Sequence, residues 1–511
     1  MAINEQEIQN IVRSVLQGMN AAPKTESSPA PATGLLASYK DKKMLGIFDD
    51  IEVAIAAAKK AQKEIQPMPL EFREKIIANI RKKTLENAKL FAELGVEETG
   101  MGNVGHKILK HQLVAEKTPG TEDLSTIAWS GDRGLTLVEQ GPFGVIGAVC
   151  PSTNPSETVI CNTMGMLAAG NTVVFAPHPS AKTVSNLAID MINRASIEVG
   201  GPENIAVAVK EPTMEVSKII FGHKDISLLC ATGGPGVVTT VLSSGKRAMG
   251  AGAGNPPVLV DETANIAKAA EDIVNGCTFD NNLPCIAEKE VIAVDMIADE
   301  LIYYMEQNGC YKASKEEVDK LVKTVLVEKN GSYTVSRKCV GRSAKVILGM
   351  IGVNVGDDVR CIIFEGEKEH PLIWEELMMP ILGIVRVKDV DEGIETAVIL
   401  EHGNRHSAHM HSTNVQNLTR YGKALDTAIF VKNGPSYSAL GFGGEGYPTF
   451  TICSRTGEGL TSAKSFTKSR RCVMVDSLCT TYATAFNFYK NIIITKFWDR
   501  IFFDFVIFQC C

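Results

Sequence analysis

The chain has 511 residues, a net charge of −7, and 45% hydrophobic against 22% charged side chains. That length exceeds a single core and the balance is that of a globular protein of more than one domain, while the negative charge argues against nucleic acid as a partner, which needs a basic surface. Thirteen cysteines without paired metal-type or small-domain spacing read as mostly buried, reduced thiols of a cytosolic protein, with one of them a candidate for chemistry.

The N-terminus, MAINEQEIQN, lacks the basic start and continuous apolar core of a cleavable signal. Ile8, Ile11, Val12, Val15, Leu16 and Met19 fall at spacings of three and four, which predicts an amphipathic helix over 1–20. A Pro/Ala/Ser-rich stretch follows, too poor in apolar residues to fold, and makes 21–34 a flexible linker. A tethered amphipathic helix must bury its stripe, either in a partner's groove or on its own or a neighbouring subunit.

From about Leu35 to Glu116 apolar residues recur every three or four positions, notably over 51–58 and Phe72 to Leu94, and predict scaffold helices. Near Gly134 the period changes: Leu135, Leu137 and Glu139 alternate with Thr136, Val138 and Gln140, as in a strand, up to the turn at Gly141-Pro142. Apolar runs at 145–149, 172–175, 205–209 and 226–231 then alternate with helical patterns such as Ala181 to Val199. This is the βαβ pattern of a doubly wound sheet, whose ligands bind beyond the carboxyl ends of the strands.

Three loops after those runs carry suitable residues. Asn154, in the proline-flanked turn Pro151-Ser152-Thr153-Asn154-Pro155, has a side-chain amide able to donate to a developing oxyanion. Pro177-His178-Pro179 forms an extended turn against which an adenosine can lie. Thr232-Gly233-Gly234-Pro235-Gly236 opens the predicted helix 237–242, where glycines and a helix start suit a pyrophosphate, although such a turn is often structural. Thr153 is grouped with these nucleotide-binding candidates. Further on, Asp280-Asn281-Asn282-Leu283-Pro284 leads into Cys285, the best nucleophile candidate, because a thiolate adds readily to a carbonyl carbon.

Asn154, the Thr232–Gly236 turn, Cys285 and Glu375-Glu376-Leu377-Met378-Met379-Pro380 follow one another as in the aldehyde dehydrogenase superfamily. Within it the chain most resembles the coenzyme A-acylating propionaldehyde/acetaldehyde dehydrogenases of bacterial microcompartments, over roughly residues 1 to 479. The resemblance implies an α/β fold of two doubly wound, Rossmann-like domains plus an oligomerisation strand arm. The corresponding division is a targeting helix over 1–20, a linker over 21–34, an NAD/CoA-binding domain over 35–252 with oligomerisation strands near 125–140, a catalytic cysteine domain over 253–440, and a return segment over 441–479. It further implies NAD as cofactor, coenzyme A as cosubstrate, a small aldehyde as substrate, Glu376 on the ribose beside the nicotinamide, a homo-oligomer (dimer or tetramer), and entry into a cytoplasmic microcompartment through contact of residues 1–20 with shell or cargo protein. From the residues alone, Glu375 and Glu376 read as a solvated helix start.

One departure selects the chemistry. Similar acid-forming enzymes place a water-activating glutamate about thirty-four residues before the cysteine, whereas Ala248 to Pro257 contains no carboxylate. A thioester on Cys285 then lacks a base for hydrolysis, and a thiol, which ionises more easily than water, is the acyl acceptor. A hydrolytic acid-forming dehydrogenase and a catalytically inactive shell-associated protein are the alternatives.

The remaining motifs read as structural. His402, His406, His409 and His411 lie in a strand-like alternation without a completed ligand set, and no metal is expected. Cys277 sits in a helical run from Ala264, Gly441 to Gly446 falls near the substrate entrance by family resemblance, and Lys464 to Arg471 is a solvated or subunit-bridging strand. After Cys479 the composition shifts: residues 480–511 hold ten of the 32 aromatics, but charges interrupt any membrane-length run, and the segment reads as an extension foreign to the family.

Overall fold

A computed structural model describes residues 34–478, apart from Asp41 and Asn330; the expected targeting helix, most of the linker and the aromatic tail lie outside the described residues. The predicted apolar runs form the centre of a six-stranded parallel sheet. Edge to edge its strands are Ile47–Phe48, Ala206–Val209, Thr172–Ala176, Val145–Val149, Ile226–Thr232 and Ala248–Ala251. The strand order reverses between Val145–Val149 and Ile226–Thr232, which leaves a crevice at the carboxyl ends of those two strands. Helices cover both faces. Ile51–Ile65 begins at Asp50, whose side chain accepts from the amides of Glu52 and Val53, and Leu70–Thr99, Pro155–Ala168 and Lys182–Glu198 pack on the other side.

A second, seven-stranded parallel sheet runs Cys310–Lys312, Cys361–Glu365, Ile381–Val387, Glu290–Val294, Pro257–Val260, Ser407–His411 and Ile429–Lys432. Its central strands Pro257–Val260, Glu290–Val294 and Ile381–Val387 are largely apolar on both faces, as a sheet buried between helices requires, and they form the centre of the largest core. The chain passes from the first sheet to the second through residues 252–256. A separate antiparallel sheet joins Ile127–Gly131, Gly134–Pro142 and Thr467–Val475, and its outward residues Ile127, Trp129, Val473 and Val475 are exposed. The mixed α/β architecture with two parallel sheets is the one expected.

Two details differ from the sequence reading. Glu375 caps the end of the short helix Pro371–Trp374, so the Glu375-Glu376 pair follows a helix and does not start one; Pro380 and the left-handed Met378 turn the chain into the next strand. The basic run from Lys464 begins as a 3-10 turn, Ala463–Phe466, before becoming the strand Thr467–Val475.

Candidate active site

Cys285 lies in an irregular loop between the helix Ile266–Thr278 and the strand Glu290–Val294. The approach is unusual: Asp280, Asn281 and Asn282 adopt φ of 50°, 54° and 64° in succession. Left-handed backbone costs roughly 1–2 kcal/mol per non-glycine residue, least for Asn and Asp, so this loop must be held by its surroundings. It is. Asp280 accepts from the Asn103 amide at 2.7 Å, its own amide donates to His106 Nδ1 at 2.9 Å, Asn281 Nδ2 donates to Gly341 O at 2.9 Å, and Asn282 Nδ2 bridges Cys277 O (3.0 Å) and Glu288 O (2.9 Å). The loop thereby presents a half-buried Cys285, which packs beside Leu113, Ile286 and Leu440.

Cys277 is fully buried, 3.8 Å from the sulfur of Cys361, and receives Asn282 Nδ2 at 3.3 Å. It is a structural thiol. Every described cysteine is free, and apart from Cys285 only the strand residue Cys472 reaches the surface.

An apolar cavity adjoins Cys285. Leu109, Leu113, Phe279, Pro284, Leu440 and Phe450 line it, and Phe279, Tyr437 and Phe442 pack ring against ring at 5.2–5.7 Å to make an aromatic wall. Phe442 belongs to the glycine-rich 441–446 segment, which Lys117 anchors by donating to Gly441 O at 2.5 Å.

On the other side of the loop, Asn154 is the N-cap of Pro155–Ala168, yet its side chain makes no capping hydrogen bond. Asparagine is favoured at this position because it caps; here its Oδ1 is instead engaged by Lys110 Nζ at 2.5 Å. Lys110 also meets Asp280 Oδ2 at 2.5 Å and Glu157 Oε1 at 3.2 Å, while Lys107 donates to Asp280 Oδ2 and Thr153 O, both at 3.1 Å. All four charged side chains are at most 3% exposed, so the two ammonium groups and two carboxylates must balance one another. Burial opposes the Lys110 charge, but Asp280 and Glu157 outweigh it and hold its pKa above the ordinary lysine value; at Lys107 burial prevails over Asp280 and the pKa is lowered. Glu157, despite burial, is held far below the usual carboxylate range by Lys110 and Lys107.

Downstream of the cysteine the chain behaves differently. The Cys285 thiol is pushed up to about 12, first by burial and then by the Glu376 charge, against which Lys289 works. Lys289 is buried and donates to Asn282 O and Oδ1 at 3.1 and 2.5 Å. Glu376 accepts from the Gly254 amide, and burial raises its pKa. Gly254 is a point of close approach: a Cβ there would stand 2.9 Å from the His406 ring and 3.0 Å from Cys285 O. The 248–257 segment therefore passes directly against the Cys285 backbone and itself carries no carboxylate.

The expected nucleotide-binding residues occupy three loops at the carboxyl edge of the first sheet. Thr153 follows Val145–Val149, Pro177, His178 and Pro179 follow Thr172–Ala176, and Thr232, Gly233, Gly234 and Gly236 follow Ile226–Thr232. These three strands are adjacent. Gly234 is exposed at the start of Pro235–Leu242 and has no atom within 4 Å of where a Cβ would stand, so a pyrophosphate has room to approach a helix N-terminus. Thr232 Oγ1 is bonded to Thr451 at 2.8 Å, and His178 turns Nδ1 onto the Ser180 amide at 3.2 Å. Glu376, from the second sheet's side, lies with Cys285 and Gly254 across the crevice. The donor set fits a dinucleotide.

His406, His409 and His411 fall in or beside the strand Ser407–His411, buried, with pKa values lowered by burial to about 4, 4 and 3. His409 Nε2 meets Ile286 O at 2.9 Å, which ties the strand to the residue after Cys285. His402 stacks on Trp374, 4.4 Å between ring centres.

With this geometry the comparisons agree. The aldehyde dehydrogenase family model matches residues 45–451, and the chain belongs to that family. It is 48% identical over 485 residues to an acetaldehyde dehydrogenase (acetylating) of Bilophila wadsworthia, covering 93% of this chain and 99% of that one. Among solved structures, the propionaldehyde dehydrogenase from the Clostridium phytofermentans fucose utilisation bacterial microcompartment superposes with a TM-score of 0.84 at 68% identity, over 86% of this chain and all of that one. A Rhodopseudomonas palustris propionaldehyde dehydrogenase with bound CoA and an acylated cysteine matches with a TM-score of 0.84 at 53% identity, over 85% of this chain and 99% of that one.

The sequence reading missed the residues that hold the site together. Lys107, Lys110 and Glu157 carried no signal beyond their place in helical patterns. Asp280 and Glu288 stood in plain view beside Cys285 without a role. The one usable clue was spacing: Lys107 and Lys110 share a helix face with Leu113 and Val114, which are buried.

Proposed function

We propose that the chain is a CoA-acylating aldehyde dehydrogenase, which oxidises a short-chain aldehyde such as propanal or acetaldehyde with NAD and coenzyme A to acyl-CoA and NADH. The observation that carries this reading is the half-buried Cys285 at an apolar cavity, with the 248–257 segment packed against it and bare of any carboxylate. Cys285 sulfur attacks the aldehyde carbon. Burial pushes the thiol up to about 12, so the thiol proton leaves to solvent as the C–S bond forms and the carbonyl π bond breaks, and the negative charge comes to rest on the substrate oxygen. Asn154 Nδ2 and the Cys285 amide receive it there; losing one such donor costs about a hundredfold or more in rate.

NAD bound by the loops at Thr153, Pro177–Pro179 and Thr232–Gly236, with Glu376 on its nicotinamide ribose, supplies the hydride acceptor. Hydride departure from the thiohemiacetal carbon leaves a thioester on Cys285. Water has no base to activate it, so the acyl group passes to the thiol of coenzyme A and Cys285 is restored. The hydrolytic alternative lacks its general base, and an inactive scaffold has no need of a cavity beside a held cysteine.

We further infer that the enzyme works in a bacterial microcompartment, with residues 1–20 contacting shell or cargo protein, and as a homo-oligomer through the antiparallel sheet. The exposed apolar residues Ile127, Trp129, Val473 and Val475 support the last point. The decisive test is NADH formation from propanal with and without coenzyme A, on the intact protein and on Cys285→Ser. Propanoyl-CoA formed only with coenzyme A, and lost in the variant, is the expected result; free propanoate released as fast without coenzyme A overturns the reading.

A further inference from the structure

We propose that Lys110 is a positioning residue for the oxyanion site: its ammonium group fixes which end of the Asn154 amide faces the reacting carbon and strengthens the donor at that end. This rests on the reading of Asn154 given above. An asparagine side chain presents an oxygen at one end and an NH2 at the other, nearly equal in shape, and a flipped amide would turn a lone pair toward the developing negative charge. Selection between the two must come from the partner. A lysine ammonium has only hydrogens to offer, so at 2.5 Å it accepts the oxygen end alone. The NH2 end is then left with only a 3.4 Å contact to Thr153 Oγ1, and is free for a second acceptor.

Lys110 is itself held. Its ammonium donates to Asp280 Oδ2 at 2.5 Å, forms an ion pair with Glu157 Oε1 at 3.2 Å, and lies 5.9 Å from the centre of the Phe450 ring on the cavity wall. With hydrogen bonds to Asn154 and Asp280 and an ion pair to Glu157, Lys110 is held against the amide oxygen, and its part in the reaction runs through Asn154. A cation on the amide oxygen also draws electron density from the amide nitrogen and makes its N–H groups better donors, as chains of hydrogen bonds in low dielectric do. Asp280 couples the two halves of the site: the same carboxylate that seats Lys110 lies five residues before Cys285 and holds the left-handed loop, so oxyanion donor and nucleophile share one anchor.

The test is a double-mutant cycle. Lys110→Met combined with Glu157→Gln removes one charge of each sign and keeps the buried cluster neutral. In the parent enzyme this pair should lower kcat for NADH formation from propanal by about 10- to 100-fold, comparable to losing an oxyanion donor, with KM for propanal and the rate of Cys285 alkylation by iodoacetamide changed by less than about twofold. In an Asn154→Ala background the same pair should cost less than about twofold, because the amide it orients is gone. Lys110→Arg, which keeps the charge but moves the donors, is the second variant and is read by the same criterion should the pair not fold. Losses that multiply with Asn154→Ala, or no loss in the parent, overturn the proposal. Failure of the underlying reading looks different: Cys285→Ser would then keep NADH formation whatever the cycle shows.

Discussion

The two sides of the Cys285 loop bury carboxyl groups in opposite ways. Upstream, Asp280 and Glu157 face Lys107 and Lys110, and all four side chains are kept in the interior as a balanced set of ion pairs, although Glu157 Oε1 accepts no hydrogen bond. Downstream, Glu288 and Glu290 are equally buried but under-partnered: Glu288 Oε1 accepts from the Ser436 amide at 2.8 Å, while Glu288 Oε2 and both Glu290 oxygens have no hydrogen-bond partner among the described residues. Burial pushes the Glu288 carboxyl up to about 7 and that of Glu290 well above the ordinary value. Beside two ammonium groups the Glu157 carboxyl is held far below the usual carboxylate range, whereas Glu288 and Glu290, with no ion pair among the described residues, are pushed above it. The cost of desolvating an ion leaves only those two outcomes.

Removing one member of the balanced set should therefore be the most damaging change. Asp280→Asn leaves two ammonium groups against one carboxylate and frees the left-handed loop, and is expected to cost about 3–5 kcal/mol of stability, read as a lowered denaturant midpoint, with NADH formation falling further than folding explains. A fully stable Asp280→Asn would break the contrast.

Glu288 offers the second test through pH. Its ordinary value of 4.5 rises to about 7 in the fold, so the native state binds the proton more tightly than the unfolded chain. The stabilisation is fully present below pH 4.5 and is lost as pH rises to about 7, a swing of about 3 kcal/mol. Glu288→Gln should flatten the stability profile across that window, measured by urea unfolding at pH 5, 6, 7 and 8; an unchanged slope would show that the carboxyl is ionised throughout. The smallest effect belongs to Glu290→Gln. At pH 4, where the carboxyl is largely neutral in the unfolded chain as well as in the fold, it loses little on becoming an amide of the same shape, and a change under about 1 kcal/mol is expected from urea unfolding at that pH.

How far the sequence could be read depended on whether a residue's role was local. The strands of the first sheet were legible because each is a short apolar run closed by a turn, and Val145–Val149, Thr172–Ala176, Ala206–Val209 and Ile226–Thr232 appear within a residue or so of their predicted bounds. Asn154 and Cys285 stood out as suitable chemistry in short, proline-marked segments, and their order with the glycine turn and Glu376 carried the resemblance. Glu376 shows the limit: by local pattern it was a solvated helix start, whereas the fold brings it, half-buried, beside Gly254 and Cys285. Lys107 and Lys110 show it more sharply, since a lysine three or four residues from another in a helix is the usual mark of a wet face.

By itself the sequence determined the strand and helix periods and the nucleophile and oxyanion candidates, because each is a property of neighbouring residues or of a residue type; the want of a hydrolytic base was legible only through the family resemblance. Only the tertiary structure decided which charges are buried together. Asp280 lies 170 positions from Lys110, and Asn154 44, and the electrostatic cost of burying an ion is settled by what stands within a few ångströms of it, a neighbourhood that chain order does not encode.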